Sequence, residues 1–464
     1  MDMQTEWLEN RVFDEIKPGD SASVTREITL DNIILFSAIS GDVNPAHLDP
    51  EYAATDMFRG IIAQGVLTAG LISAVLGTKL PGPGTIYIAQ ELKFRAPVSP
   101  GDAITATCTV TSLLPEKHRV ILDCHCVNQH GTEVLSGTAT VQAPTEKVSR
   151  PAIALPEVRL LRHNRFRALL ARATSGAPIP TAIAHPCDET SLRAAVEGAE
   201  RGLIDPILVG PTEKILSRAA ACQLDISKFH IEHAPHSHAA AAQAVALVRA
   251  GKASLLMKGS LHTDELLHEV MQRDTGLRTG RRLSHVYAMD VPSYPRPLFI
   301  TDAAINIAPT LEDKIAIIQN AIDLAHVLGI ETPRVAILAA VETINPAMQA
   351  TLDAAALCKM ADRGQITGAI LEGPLAFDNA ISPAAAARKE IKSPVAGHAD
   401  ILLVPDIEAG NILAKQLTFL SSADAAGIVL GAKVPIILTS RADDTRARLA
   451  SCALAVIAAG AKEA

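Results

Sequence analysis

The sequence predicts a small α+β domain followed by a larger α/β module, and three observations carry that expectation. An apolar segment rich in small residues runs from Gly65 to Gly77, and four strand-like segments with turn signals between them follow it. From Pro180 onward, short Val/Ile/Leu strands alternate with Ala-rich helical stretches, the pattern of parallel sheet covered on both faces. Between these regions lies APTEKVSRPAIALPEVRL, which has three prolines and neither a helical nor a strand period, as a linker would. The expected domains are therefore 1–143, a linker at 144–159, and 160–464, the last divided into one lobe of 160–301 plus 433–464 and another of 302–432.

Taken in order, Leu30-Asp31-Asn32 leads into IILFSAIS, which reads as a short amphipathic helix with Asp31 as its N-cap. The next stretch, GDVNPAHLD from Gly41 to Asp49, sets Asp42 and His47 five positions apart with Asn44-Pro45 between them. That spacing predicts a turn rather than a regular helix face, and a turn can aim both side chains into one pocket. An acid and an imidazole so placed can hold and polarise a water molecule; a turn-capping Asp beside a solvated His has the same spacing. The segment from Gly65 to Gly77 is long enough for a fully buried helix. TIYIAQELKFRAPV, DAITATCTVTSL, HRVILDCHCVNQ and TEVLSGTATVQA then read as strands, and a buried helix wrapped by a meander of strands is a hot-dog fold.

In the second half, LLRHNRFRALLARATSG reads as a basic amphipathic helix. TAIAH and DPILVG are strands, each followed by a helix, the first of them from about Asp188 to Arg201. ASLLMKGSLHTDELLHEV puts Lys258, Gly259 and Ser260 at the carboxyl end of a strand with a helix start near Thr263, where open α/β sheets bind anions. No P-loop run is present, and an ordinary strand-to-helix turn with a surface Lys fits the same residues. VPIILTSRADDT ends a strand in Ser440-Arg441 with Asp443 and Asp444 close behind. Such an Arg can fork onto phosphate or carboxylate oxygens; a helix cap with an ion pair is the alternative.

Composition narrows the function classes. A chain of 464 residues suggests about three units. A formal charge of −8 leaves no basic excess to neutralise a nucleic-acid backbone. The acidic N-terminus lacks the apolar core of a secretory signal, and no apolar run approaches the ~20 residues of a membrane span. Seven scattered cysteines suit reduced thiols, so a soluble cytoplasmic enzyme is expected. No metal is expected: on a strand, Cys124 and Cys126 share one face while His125 points to the other, and His130 does not complete a tetrahedral set. His230, His233, His236 and His238 straddle Pro235 before an Ala-rich helix and read as a loop and its cap. Cys187 reads as a buried thiol rather than a nucleophile.

Two resemblances sharpen these expectations. Residues from about 15 to 143 resemble the MaoC-like, (R)-specific enoyl-CoA hydratases through Asp42, Asn44 and His47, then Phe58-Arg59 and Gln64-Gly65. The resemblance implies that Asp42 and His47 activate the water that adds across the enoyl double bond. It also implies that Asn44 belongs to the substrate site and that the Gly65 backbone N–H holds the thioester carbonyl. The residue before that glycine is often His in relatives and is Gln64 here.

Residues from about 160 to 464 resemble phosphate acetyl/butyryltransferases through EGAERGLIDPILVGP, LMKGSLHTDELL, FITDAAINIAPTLEDK, EGPLAFDNAI, KSPVAGHADILLVPDIEAGNILAKQL and VPIILTSRADD. This implies a two-lobed α/β fold like that of isocitrate and isopropylmalate dehydrogenases, with a cleft between the lobes. Ser440 and Arg441 match the family's Ser-Arg pair at the acyl-phosphate and CoA site, and Asp443 matches the base of the butyryl-type pattern S-R-A-D. Acetyl-type relatives carry the acid further along than Asp443 or Asp444, which leaves the base open between these two. Gly259, Ser260 and Thr263, with Lys258, would line the phosphate pocket.

The whole chain is then expected to be bifunctional, hydrating enoyl-CoA and exchanging an acyl group between CoA and phosphate. Coenzyme A thioesters and phosphate are its substrates, no cofactor is tightly bound, and the protein is a homo-oligomer. The rival readings are a phosphate acyltransferase with a non-catalytic hot-dog binding or dimerisation module, and a CoA-ester-sensing scaffold.

Overall fold

The computed structural model describes residues 7–154, 158, 160, 164–439 and 444–463. The chain divides into two compact units, Met1–Leu160 and Leu161–Ala464.

The first unit opens with β1 (Trp7–Glu9) and β2 (Ser21–Glu27), continues through helices α1 (Leu30–Ser40), α2 (Pro45–Leu48), α3 (Pro50–Thr55) and α4 (Gly65–Thr78), and then adds β3 (Ile86–Phe94), β4 (Ala103–Leu114), β5 (Arg119–Val127), β6 (Glu133–Gln142) and β7 (Ser149–Pro151). β1 and β7 pair with each other, and the other five strands form an antiparallel sheet in the order β2-β4-β5-β6-β3. Along β4 and β5, buried residues alternate with partly exposed ones, because successive side chains point to opposite faces. The buried set, including Ile104, Leu122, Leu135 and Val141, packs with Ile72, Val75 and Leu76 of α4; each such side chain contributes about 1.5–3 kcal/mol.

Two expectations need correction here. α4 is buried on one face only: Thr68, Ile72, Val75 and Leu76 are inside, whereas Gly65, Val66, Gly70, Ser73 and Gly77 are exposed, because the sheet wraps a single side of the helix. The cap of α1 is Thr29, not Asp31. Thr29 accepts a hydrogen bond from the Asn32 N–H, and the Asn32 side chain accepts one from the Thr29 N–H; Asp31 lies in the first turn, where a carboxylate suits the positive helix end.

The second unit contains β8 (Ile179–Ala184), β9 (Ile204–Gly210), β10 (His230–His233), β11 (Leu255–Lys258), β12 (Ser284–Asp290), β13 (Leu298–Thr301), β14 (Arg334–Leu338), β15 (Ile370–Leu375), β16 (Ile401–Leu403), β17 (Asp424–Leu430) and β18 (Ile436–Ile437). Its helices are α5 (Asn164–Ala173), α6 (Glu189–Glu200), α7 (Thr212–Ala221), α8 (Ser237–Arg249), α9 (Thr263–Val270), α10 (Leu311–Val327), α11 (Gln349–Asp362), α12 (Phe377–Ile381), α13 (Pro383–Arg388), α14 (Ile407–Leu420) and α15 (Thr445–Glu463). One sheet joins all eleven strands in the order β10-β9-β8-β11-β18-β17-β12-β13-β16-β14-β15.

The sheet is not uniformly parallel, as the strand-helix alternation suggested. β10 to β18 form one parallel block and β13 to β15 another, while β12 and β17 at the centre run antiparallel to both of their neighbours. The composition does not reveal this, because a strand covered on both faces is apolar whichever way it runs. The two central strands let the chain pass between blocks of opposite direction. His230 and His233 lie on β10, not in a loop; His236 caps α8 by accepting from the Ala239 N–H.

Among the described residues no helix is long and apolar enough to cross a membrane, and no group of three or more His, Cys, Asp or Glu is arranged to hold a metal ion. All seven cysteines are free thiols.

Candidate active sites

Asp42 and His47 are brought together as their spacing suggested, although by a short helix rather than a bare turn. Asn44 caps α2 by accepting from the Ala46 N–H, Pro45 sits at its first position, and His47 falls in its single turn. The Asn44 N–H in turn donates to Asp42 Oδ1 at 3.2 Å, so the acid and the helix cap are one hydrogen-bonded unit. His47 is 8 % exposed, and its Nδ1 lies 2.7 Å from the Ile62 carbonyl. A carbonyl only accepts, so in the neutral ring Nδ1 carries the proton and Nε2 presents a lone pair. That Nε2 stands 3.8 Å from Asp42 Oδ2, too far for a direct hydrogen bond. The gap suits a water molecule that donates one hydrogen to each acceptor.

Gly65 is the first residue of α4, and its N–H belongs to the helix turn that has no intrahelical partners. A Cβ on Gly65 would stand 2.7 Å from the Phe94 ring, so a side chain there requires that ring to move. His47, Gly65, Phe58, Phe94, Arg95 and Val98 are among the residues that line a cavity of about 410 Å³, a size usual for small-ligand sites. Gln64 does not line it. Its Nε2 donates to Ser37 Oγ at 2.8 Å, tying α4 to α1, so the side chain is turned into the core.

In the second unit, Lys258 ends β11 and Thr263 opens α9, as expected. Both line a cavity of about 350 Å³, with Tyr287 of β12, Asn411 and Lys415 of α14, and Thr439 after β18. Gly259 and Ser260 do not line it, because they join two strand ends. A Cβ on Gly259 would fall 2.4 Å from the Ala184 carbonyl oxygen. The Ser260 hydroxyl donates to the His185 carbonyl at 2.8 Å and accepts from the Cys187 N–H at 3.2 Å. These bonds hold His185 in a left-handed conformation at φ 54°, which non-glycine residues rarely adopt. Burial pushes the Cys187 thiol up, which removes it as a thiolate nucleophile.

Ser440, Arg441 and Asp443 lie outside the described residues. Their neighbours are informative: Thr439 accepts a hydrogen bond from the buried Arg448 at 2.8 Å, and Asp444 accepts from the Ala447 N–H as it leads into α15. Tyr287, Asn411, Lys415 and Thr439 were not foreseen as site residues. Asn411 and Lys415 had a legible signal, four positions apart on one helix face, but only the fold brings that face to the end of β11.

Behind this cavity, His285 of β12 is fully buried and packs edge-on against Tyr287 at 4.4 Å between ring centroids. Neither ring nitrogen makes a hydrogen bond of normal geometry, although the Leu438 carbonyl is adjacent. Burial pulls the imidazole down to about 4, against the opposing pull of Asp302.

The second unit shares its fold with a solved phosphotransacylase. A branched-chain phosphotransacylase from Enterococcus faecalis superposes with a TM-score of 0.55 at 32% identity, over 61% of this chain and 99% of that one. The model of the phosphate acetyl/butaryl transferase family matches residues 236–456, and that of the MaoC like domain matches residues 15–121. A phosphate acetyltransferase of Rhizobium meliloti is 63% identical over 301 residues, 65% of this chain and 95% of that protein. A phosphate butyryltransferase of Clostridium acetobutylicum is 43% identical over 297 residues, 64% of this chain and 99% of that protein. The chain belongs to the phosphate acetyl/butyryltransferase family and carries a MaoC-like hot-dog domain ahead of that region.

Proposed function

We propose that the chain is a bifunctional enzyme of acyl-CoA metabolism, which hydrates enoyl-CoA to 3-hydroxyacyl-CoA and reversibly transfers an acetyl or butyryl group between CoA and phosphate. The observation that carries the hydratase half is the pair of acceptors, His47 Nε2 and Asp42 Oδ2, held 3.8 Å apart beside a cavity that also takes in the first residue of α4. Water held between them loses a proton as its oxygen bonds to C3 of the enoyl thioester. The negative charge that develops on the thioester oxygen is met by the Gly65 N–H and the positive end of α4, and a proton is returned at C2.

In the transferase half, family membership supports acyl exchange, with Lys258 and Thr263 on the phosphate and Ser440 and Arg441 at the acyl-phosphate and CoA site. Asp443 is the base in this reading, since Asp444 is engaged at the start of α15. The base takes the proton from the CoA thiol, the sulfur attacks the acyl phosphate carbonyl, and phosphate leaves against Arg441. Gly259 and Ser260 support that pocket from behind, and Asn44 orders the Asp42–His47 loop. The two-lobed dehydrogenase-like division of the second unit, the boundaries at 143 and 160, a homo-oligomeric cytoplasmic protein and the lack of a tightly bound cofactor belong to the same reading.

The test is to follow the loss of crotonyl-CoA and the phosphate-dependent release of CoA from acetyl-CoA and butyryl-CoA by the full-length protein. Asp42→Asn and His47→Ala are expected to lower hydration by at least about a hundredfold and leave CoA release intact, with Arg441→Ala doing the reverse. Hydration unchanged in both N-terminal variants would remove the hydratase assignment.

A further inference from the structure

The transferase cavity differs in character from the hydratase cavity, and the difference bears on the acyl group it takes. The hydratase cavity is walled mainly by Phe58, Ile62, Phe94, Val98 and Val134. In the second unit Leu261, Ala304 and Leu438 are matched by Asn411 and Thr439, beside Thr263. Lys258, Lys415 and Thr263 serve the phosphate in the reading above, whereas Asn411 and Thr439 are neutral hydrogen-bonding groups. Asn411 uses its amide nitrogen on the Ala303 carbonyl at 3.2 Å, and its amide oxygen has no partner among the described residues. Thr439 accepts from Arg448, and among the described residues its own hydrogen has no acceptor. A purely alkyl chain seated here would strip water from these groups and return no hydrogen bond. A hydroxyl on the chain both donates and accepts, and so answers Asn411 and Thr439.

We propose that the transferase cleft is selective for an acyl group hydroxylated at C3, so that it takes the product class of the hydratase half and releases a 3-hydroxyacyl phosphate. This rests on the bifunctional reading given above. In the step, a phosphate oxygen bonds to the thioester carbonyl carbon and the C–S bond breaks. Its electron pair leaves on sulfur, and the proton lost by hydrogen phosphate ends on the CoA thiol. The two halves then form consecutive steps: water is added first, and the hydroxyl it leaves is what the second site recognises. The reaction that consumes the product is of the class that moves an acyl phosphate's phosphoryl group to an acceptor.

The experiment measures phosphate-dependent CoA release by the full-length protein from (R)- and (S)-3-hydroxybutyryl-CoA, butyryl-CoA and acetyl-CoA. A kcat/KM for one 3-hydroxybutyryl enantiomer at least about tenfold above that for butyryl-CoA supports the proposal. Turnover of butyryl-CoA equal to or better than both enantiomers overturns it and leaves the bifunctional reading standing. No release from any thioester would overturn both. Asn411→Leu supplies a second arm, in which the 3-hydroxybutyryl to butyryl ratio is expected to fall at least about tenfold, and an unchanged ratio in the folded variant counts against the assignment.

Discussion

Acid should loosen the second unit through His285, and the size of the effect follows from its burial. The ring is fully buried, and burial pulls its proton affinity down to about 4, whereas an imidazole in the unfolded chain titrates near ~6.5. Above ~6.5 both states hold the ring neutral and its titration contributes nothing to pH dependence. As pH falls from there towards 4 the unfolded chain takes up a proton that the folded one refuses, so stability drops by about 1.4 kcal/mol per pH unit. At pH 5 the loss is about 2 kcal/mol, and at pH 4 it approaches about 3 kcal/mol. His285→Phe removes the titrating group and also two nitrogens without normal hydrogen bonds; His285→Gln serves as a second non-titrating variant if the phenyl ring crowds Gly427. Calorimetric melting of the full chain between pH 4 and 7.5 isolates the residue as the difference between wild type and variant. The melting temperature of the variant should gain roughly 3 °C on that of wild type between pH 7 and pH 5. Wild-type and variant curves that stay parallel over this range would refute the argument.

Other outcomes are expected from the same geometry. Lys314 and Asp353 form an ion pair at 2.7 Å with both side chains at least nine-tenths buried, so Asp353→Ala should cost about 3–5 kcal/mol in a denaturant melt by stranding a buried ammonium. Gly65→Ala places a methyl group against the Phe94 ring; Phe94 is 55% exposed and can swing aside, so the melt should move by less than about 1 kcal/mol while crotonyl-CoA hydration falls. Ser260→Ala removes the hydroxyl bonds to the His185 carbonyl and the Cys187 N–H and should cost about 1–3 kcal/mol in stability, read by the same melt.

What the sequence made legible was local. The Asp42–His47 approach was readable because five residues of chain and one proline set it, and the start of α4 was readable because an apolar run begins at Gly65. Lys258 and Thr263 were readable for the same reason, since a strand hands over to a helix within a few residues. What failed to show was whatever depends on distant segments meeting. The direction of β12 and β17 is absent from their composition, and Tyr287, Asn411 and Thr439 reach one cavity from three separate elements. Gly259 and Ser260 looked like ligand-facing residues, yet β8 approaches so closely that their atoms are used in joining two strands. Thr29 took the cap expected of Asp31 because the helix starts at Leu30, two residues earlier than a cap at Asp31 would place it.

The placement of the last helix has a consequence for the order of events during synthesis. Ala450, Cys452 and Leu454 of α15 share a core with Ile183 and Leu192, and β18 fills the position between β11 and β17. The second unit therefore cannot close its core until its final residues have left the ribosome. In the first unit, by contrast, β4, β5 and β6 are neighbours in both sequence and space, and that unit ends some 300 residues earlier. A folded N-terminal unit thus precedes a long nascent segment with unsatisfied strand edges, and chaperone demand during translation should fall on that second segment.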